Sequence, residues 1–172
     1  MPSIRMGIRS LLKRLSFRQI LKLTRIMLQN PLLVYPTLKA TRTTMIICDL
    51  HYGKAHHKNG KANAFRHALW NILICRTTFR ITKNKEKSVS WAQKITDLHE
   101  KLAPNKPLDT AMDLHNNEIG RTYFLELTAS SEEEIVIFLK ENTKKAKKVT
   151  DSKEILDHKD KLVYLLEVDT GS

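Results

Sequence analysis

Apolar residues recur along most of this chain at three- and four-residue intervals, the spacing that gathers side chains on one face of an α-helix. Between residues 8 and 28 the pattern is double. Arg14, Arg18, Lys22 and Arg25 form one basic stripe, and Leu12, Ile20, Leu23 and Met27 fall on roughly the opposite side. Asn30-Pro31 and Tyr35-Pro36 interrupt it, because a residue that precedes proline is pushed away from helical angles. Pro36 then suits the opening turn of a second helix, predicted to run to about Tyr52.

The most apolar stretch runs from about Ala62 to Thr78, where Phe65, Ala68, Leu69, Trp70, Ile72, Leu73 and Ile74 cover nearly the whole circumference of a predicted helix. A helix apolar on most sides belongs in a core. Asn63, His67 and Asn71 nevertheless follow one another on it at four-residue steps, so this polar stripe is expected to face a shared interior pocket. Ser88 or Ser90 is expected to cap the next helix, which runs to Leu102 with Trp91, Ile95, Leu98 and Leu102 inward, His99 flanking them and Glu100 pointing away. After a proline-rich connector at 103–107, a further helix carries Met112, Ile119, Tyr123 and Phe124, with Asn116 in the middle of its apolar face. Ser131 to Glu134 reads as a capping box before a helix that ends in the lysines of 144–148, the charge a helix C-terminus prefers. A helical turn is expected from Ser152, and Leu162 to Val168 reads as a strand or a last helix.

These elements predict an all-α, single-domain orthogonal helical bundle with room for one short C-terminal strand. Its parts are a basic amphipathic N-terminal helix (1–30), a helical core (31–150) and a tail packing on that core (151–172). With 172 residues the chain buries roughly two-thirds of its unfolded surface and needs no disulfide or metal to fold. Five glycines and five prolines are too few for the turns of a sandwich or barrel.

Charge adds a partner class. Of the net +12, a balance of +8 lies in residues 1–50, where nine Lys/Arg face the single acid Asp49. Arg14, Arg18, Lys22 and Arg25 are therefore expected to bind polyanions, either an anionic membrane surface or nucleic acid. No apolar run approaches the ~20 residues of a membrane span, and no apolar segment leads to a small-residue cleavage site. Cys48 and Cys75 sit in apolar helical runs with no C-x-x-C pair, which suits a reducing, cytoplasmic setting.

The polar positions concentrate in three places: NAFRHALWN at 63–71, the pair His99-Glu100, and MDLHNNEIGR at 112–121. Together these segments resemble a family of short bacterial helical domains frequent in the Bacteroidota lineage, over roughly residues 30–125. The resemblance implies that the polar segments define the domain, and it transfers no active site.

Physical chemistry narrows what they can do. Asp113 and His115 are two positions apart on a helix, a rotation of ~200°, so they cannot share one ion. Asp113 is expected to pair along the helix with Asn117, and Asn117 with Arg121. His67, His99 and Asp113 offer the two-histidine, one-carboxylate ligand types, without the local spacing of known metal motifs. His51, His56 and His57, in a predicted basic loop, read as solvated. Cys75 lies two turns from His67 on one helix, too far to act as its nucleophile. Without metal, His67 serves as a general base oriented by Asp113, and Asn71 and Asn116 offer amide donors to a developing oxyanion.

The candidate catalytic set is thus His67, Asn71, His99, Asp113 and Asn116, with Asn63, Asn117 and Arg121 contacting substrate and no cofactor specified. The expected function is a hydrolase-like or effector-like enzyme acting on a polar or phosphate-containing substrate. The alternative is a non-catalytic binding protein whose basic arm takes nucleic acid or anionic membrane. In that reading the polar cluster only fixes how helices pack.

Overall fold

Pro31, not Pro36, opens the first long helix of the computed structural model, which describes residues 24–102 and 105–166. Helix α1 (Pro31–Tyr52) places Pro31 at its first position, where a missing N–H goes unused anyway. Pro36 lies inside the helix, buried, with its carbonyl accepting a hydrogen bond from Thr77 Oγ1 at 3.3 Å. Packing has overridden the local preference. Residues 24–29 are helical and precede α1, with Ile26 buried, Met27 turned outward and Arg25 exposed. Arg14, Arg18 and Lys22 lie outside the described residues.

A 3-10 turn (Gly53–His57) leads to α2 (Lys61–Thr82), followed by α3 (Lys85–Leu102), α4 (Pro107–Glu126) and α5 (Glu132–Lys144). The chain then forms β1 (Lys147–Lys148), the short α6 (Ser152–Leu156) and β2 (Val163–Tyr164). The architecture is all-α. Among the described residues, one small sheet pairs β1 with β2 in parallel, Lys147 opposite Val163 and Lys148 opposite Tyr164. The lysines at 147 and 148 therefore leave the helix they were expected to end.

Caps explain the breaks between helices. Lys83 adopts left-handed angles (φ 52°) to end α2, and Asn84 starts α3 by accepting from the Lys87 N–H at 2.7 Å. Ser88 and Ser90 do not cap it. Ser88 is buried, with its hydroxyl donating to the Asn84 carbonyl at 2.9 Å. Ser131 and Glu134 form the reciprocal capping box of α5.

Helix α2 is the axle of the fold, packed against α1, α3, α4 and α5. Ala64, Phe65, Ala68, Leu69, Ile72, Ile74 and Cys75 are fully buried on it. Its contact with α4 is close. A methyl group added at Gly120 would stand 2.4 Å from the Ala68 carbonyl oxygen and 2.7 Å from the Ala68 Cα. Two small residues thus let the backbones approach, and the approach sets His67 and Asn71 opposite Asn117 and Arg121.

Candidate functional site

Asn63, His67 and Asn71 all point inward from α2, and Asp113, Asn116, Asn117 and Arg121 are buried on α4. A polar group taken from water must find a partner or lose about 1–3 kcal/mol. The partners here come from across the helix interface.

His67, 2% exposed, is the centre. Its Nδ1 lies 3.1 Å from Asn117 Oδ1, which has no proton to give, so Nδ1 carries the hydrogen and donates. Nε2 is then the acceptor. Arg66 Nη2 donates to it at 2.8 Å, and Asp113 Oδ1 stands 3.1 Å away. With Asn63 turned so that both amide ends are satisfied, its nitrogen donates to Asp113 Oδ1 at 3.1 Å and its oxygen accepts from Arg66 Nη2 at 3.0 Å.

The ionisation states follow from burial. Enclosure holds the His67 imidazole well below its ordinary range, with the Arg66 guanidinium pushing the same way and the Asn117 hydrogen bond opposing. Burial raises the Asp113 carboxyl to about 7, helped by neighbouring Glu100 and opposed by Arg66. A neutral imidazole and a carboxyl poised near neutrality share one contact. A proton between Asp113 Oδ1 and His67 Nε2 turns two facing lone pairs into a hydrogen bond.

Glu100 was expected to face away and does not. It is 6% exposed, with Oε1 3.8 Å from His67 Nδ1 and 3.5 Å from the donating Asn117 Nδ2. Burial raises its carboxyl too, against the Asn117 hydrogen bond and Arg66. The apolar pattern of α3 hid this. Ala92, Thr96 and Glu100 form a second buried stripe at four-residue steps, beside that of Trp91 and Leu98, because α3 packs on both α2 and α4.

Asn117 and Arg121 bond across helices and not along α4. Asn117 Oδ1 accepts from Asn71 Nδ2 at 2.7 Å, and Arg121 Nη1 donates to Asn71 Oδ1 at 3.1 Å and to Thr96 Oγ1 at 3.4 Å. Asn71 therefore has no amide donor left for an oxyanion, since Nδ2 also reaches the His67 carbonyl at 3.0 Å.

Asn116 is likewise not placed for catalysis. Its amide nitrogen donates to the Val163 carbonyl and its oxygen accepts from the Val163 N–H, both at 2.9 Å. It clamps the C-terminal strand to α4. His115, on another side of that helix, meets the Lys161 carbonyl at 2.8 Å. His99 is half-buried, edge-on to Trp70 with ring centroids 5.1 Å apart, and burial lowers its pKa, followed by Arg66.

Among the described residues, two groups have metal-ligand chemistry. Single donor atoms of His67, Glu100 and Asp113 all lie within 4.8 Å of one another, so the histidine-carboxylate set contains Glu100 in place of His99. The guanidinium of Arg66 already supplies a cation to that set. Asp49, His56 and His57 form the second group. His56 is fully buried, with Nε2 3.0 Å from Asp49 Oδ1, so it is not the solvated loop residue its composition suggested.

Arg66 was missed at the sequence level, where it reads as an ordinary charge. It is half-buried, donates to His67 Nε2, and is in electrostatic reach of His57, His99, Glu100 and Asp113.

A family model described as a domain of unknown function (DUF6973) matches residues 24–148, which includes every member of this cluster. No curated protein and no solved structure matches the chain.

Proposed function

Because the chain belongs to the DUF6973 family, whose description names no activity, we propose a function from its own residues: a hydrolase-like enzyme acting on a polar, phosphate-containing substrate. The observation that carries this reading is the contact of His67 Nε2 with Asp113 Oδ1, 3.1 Å long and enclosed, in which the carboxyl titrates near 7. General acid–base groups work best when their pKa lies near the operating pH, and such perturbed groups cluster at functional sites.

Arg66 supplies the substrate class. A phosphate oxygen is a stronger partner for a guanidinium than a neutral imidazole is, because both charges then contribute. An arriving phosphate draws Arg66 outward and frees Nε2. With the Asp113 carboxyl ionised, Nε2 takes a proton from an attacking water as the water oxygen bonds to phosphorus, and gives that proton to the leaving oxygen as its bond to phosphorus breaks. Glu100 and Asn117 hold the ring from the Nδ1 side.

The test is hydrolysis of chromogenic phosphate mono- and diesters by the full chain between acid and alkaline pH. His67→Gln and Asp113→Asn are each expected to lower turnover by about 10²–10⁴-fold, the usual worth of a positioned acid–base group. Arg66→Gln is expected to raise KM more than it lowers kcat. Turnover that survives both His67→Gln and Asp113→Asn removes the pair from the chemistry, and a wild type inert toward the whole panel removes the substrate class.

A further inference from the structure

Helix α1 inverts the usual amphipathic arrangement. Its inward residues are Leu33, Pro36, Thr37, Ala40, Thr44 and Cys48, mostly small or polar. Its outward residues are large and apolar: Leu32 is 73% exposed, Tyr35 75%, Leu38 53%, Ile46 55% and Leu50 78%. At ~100° per residue these five share an arc of about 120° and span about 27 Å along the axis. A single exposed leucine is ordinary, whereas five large apolar residues on one arc mark a surface with a partner.

The rotation of α1 is fixed by what lies beneath it. Trp91 Nε1 donates to Thr37 Oγ1 and Trp70 Nε1 donates to Thr41 Oγ1, both at 2.8 Å. Rolling the helix to hide its leucines breaks both indole hydrogen bonds. The apolar arc is therefore held outward.

Charge identifies the occupant. Lys39 and Arg42 are exposed on the same arc and Arg25 lies just before it, against one acid of residues 24–50, Asp49, which meets His56 at 3.0 Å with its side chain 62% exposed on that arc, so the face keeps a net positive charge. A second copy docking face to face opposes these cations with themselves. Nucleic acid meets the cations but leaves the leucines and isoleucine against water and phosphate. An anionic bilayer answers both, since apolar side chains sink about 5–10 Å into the headgroup boundary while Lys and Arg meet lipid phosphates and carboxylates. No described helix is long and apolar enough to cross a membrane, so the contact lies in the plane of the surface. We infer that the outer face of α1 is a docking surface for anionic membranes, an assignment independent of the catalytic reading.

The experiment is flotation of the full chain with vesicles of phosphatidylcholine alone or containing about 30% phosphatidylserine. The expected result is binding to the anionic vesicles, weakened by salt, and none to phosphatidylcholine. The combined variant Leu32→Ser, Ile46→Ser, Leu50→Ser keeps every charge and is expected to bind about tenfold or more weakly, with an unchanged melting curve because these side chains contact water. Tyr35→Trp is expected to give a blue-shifted emission component on anionic vesicles. Equal binding by the triple-serine variant overturns the assignment, as does a wild type that ignores anionic vesicles at low salt. A wild-type dimer that this variant turns into a monomer, without vesicle binding, gives the face to a second copy. Oligonucleotide binding that the same variant weakens, without vesicle binding, gives it to nucleic acid.

Discussion

Burial raises the Asp113 carboxyl to about 7 and holds the adjoining His67 ring below its ordinary range, and stability should report both. The folded Asp113 carboxyl titrates at about 7 against an ordinary 3.8, so its contribution is fully present below about 3.8 and is lost as pH rises through 7. His67 is shifted the other way, so its buried neutral ring costs stability as pH falls below the ordinary 6.5. The two slopes have opposite signs below 6.5, so each partly masks the other in the wild type. Asp113→Asn removes only the first. The stability of wild type relative to this variant is expected to fall by about 1.4 kcal/mol per pH unit from about 4 to about 7, measured by urea unfolding at stepped pH. A difference independent of pH means that the carboxyl is not raised. At this scale His67 was legible, because helical period alone turns it inward, and Asp113 was named as its partner by residue type. Glu100 was not, since its burial depends on α3 having two neighbours, and Arg66 was not, since an arginine's inward reach has no mark in sequence.

Helix α4 lies on α2 through the Gly120–Ala68 contact, and this approach spaces the whole polar cluster. Gly120→Ala places a methyl group against backbone, where no side chain can rotate away. The expected loss is about 3 kcal/mol, the upper part of the usual overpacking range, read as a lowered urea midpoint. Displacement of α4 should also lengthen the His67–Asn117 hydrogen bond, visible as a changed imidazole nitrogen shift in NMR. An unchanged midpoint means that the helices separate freely and the close approach sets nothing. A glycine within a helical run points to a packing reason without naming the partner, so Gly120 in MDLHNNEIGR does not by itself indicate Ala68. The capping box at Ser131 was legible because it is local. The helix start at Pro31 was not, because burial of Pro36 against α2 outweighs a dipeptide preference.

The long helices share one core, and its two cysteines can test whether it opens as a unit. Cys48 on α1 and Cys75 on α2 are both fully buried, and burial pushes each thiol up to about 12. Neither should react with a thiol reagent in the native state, since the thiolate is the nucleophile. Across a denaturant series the two are expected to be modified together, at a rate that follows global unfolding. Earlier modification of Cys48 alone, located by mass spectrometry, would show that α1 detaches as a separate unit. The spacing of apolar residues by itself determined the helical class, most helix bounds and the inward turn of Asn63, His67 and Asn71, because these depend only on the 3.6-residue period. Only the tertiary structure decided which polar atoms meet. It put Asn117 on His67 from 50 residues away, gave Asn116 to Val163 and brought Glu100 in where His99 was expected. It also left the leucines of α1 facing out, although hydrophobicity alone favours hiding them. Local sequence encodes the face a helix offers, whereas the rotation and neighbours that give each buried polar atom its partner are settled by all the helices packing at once.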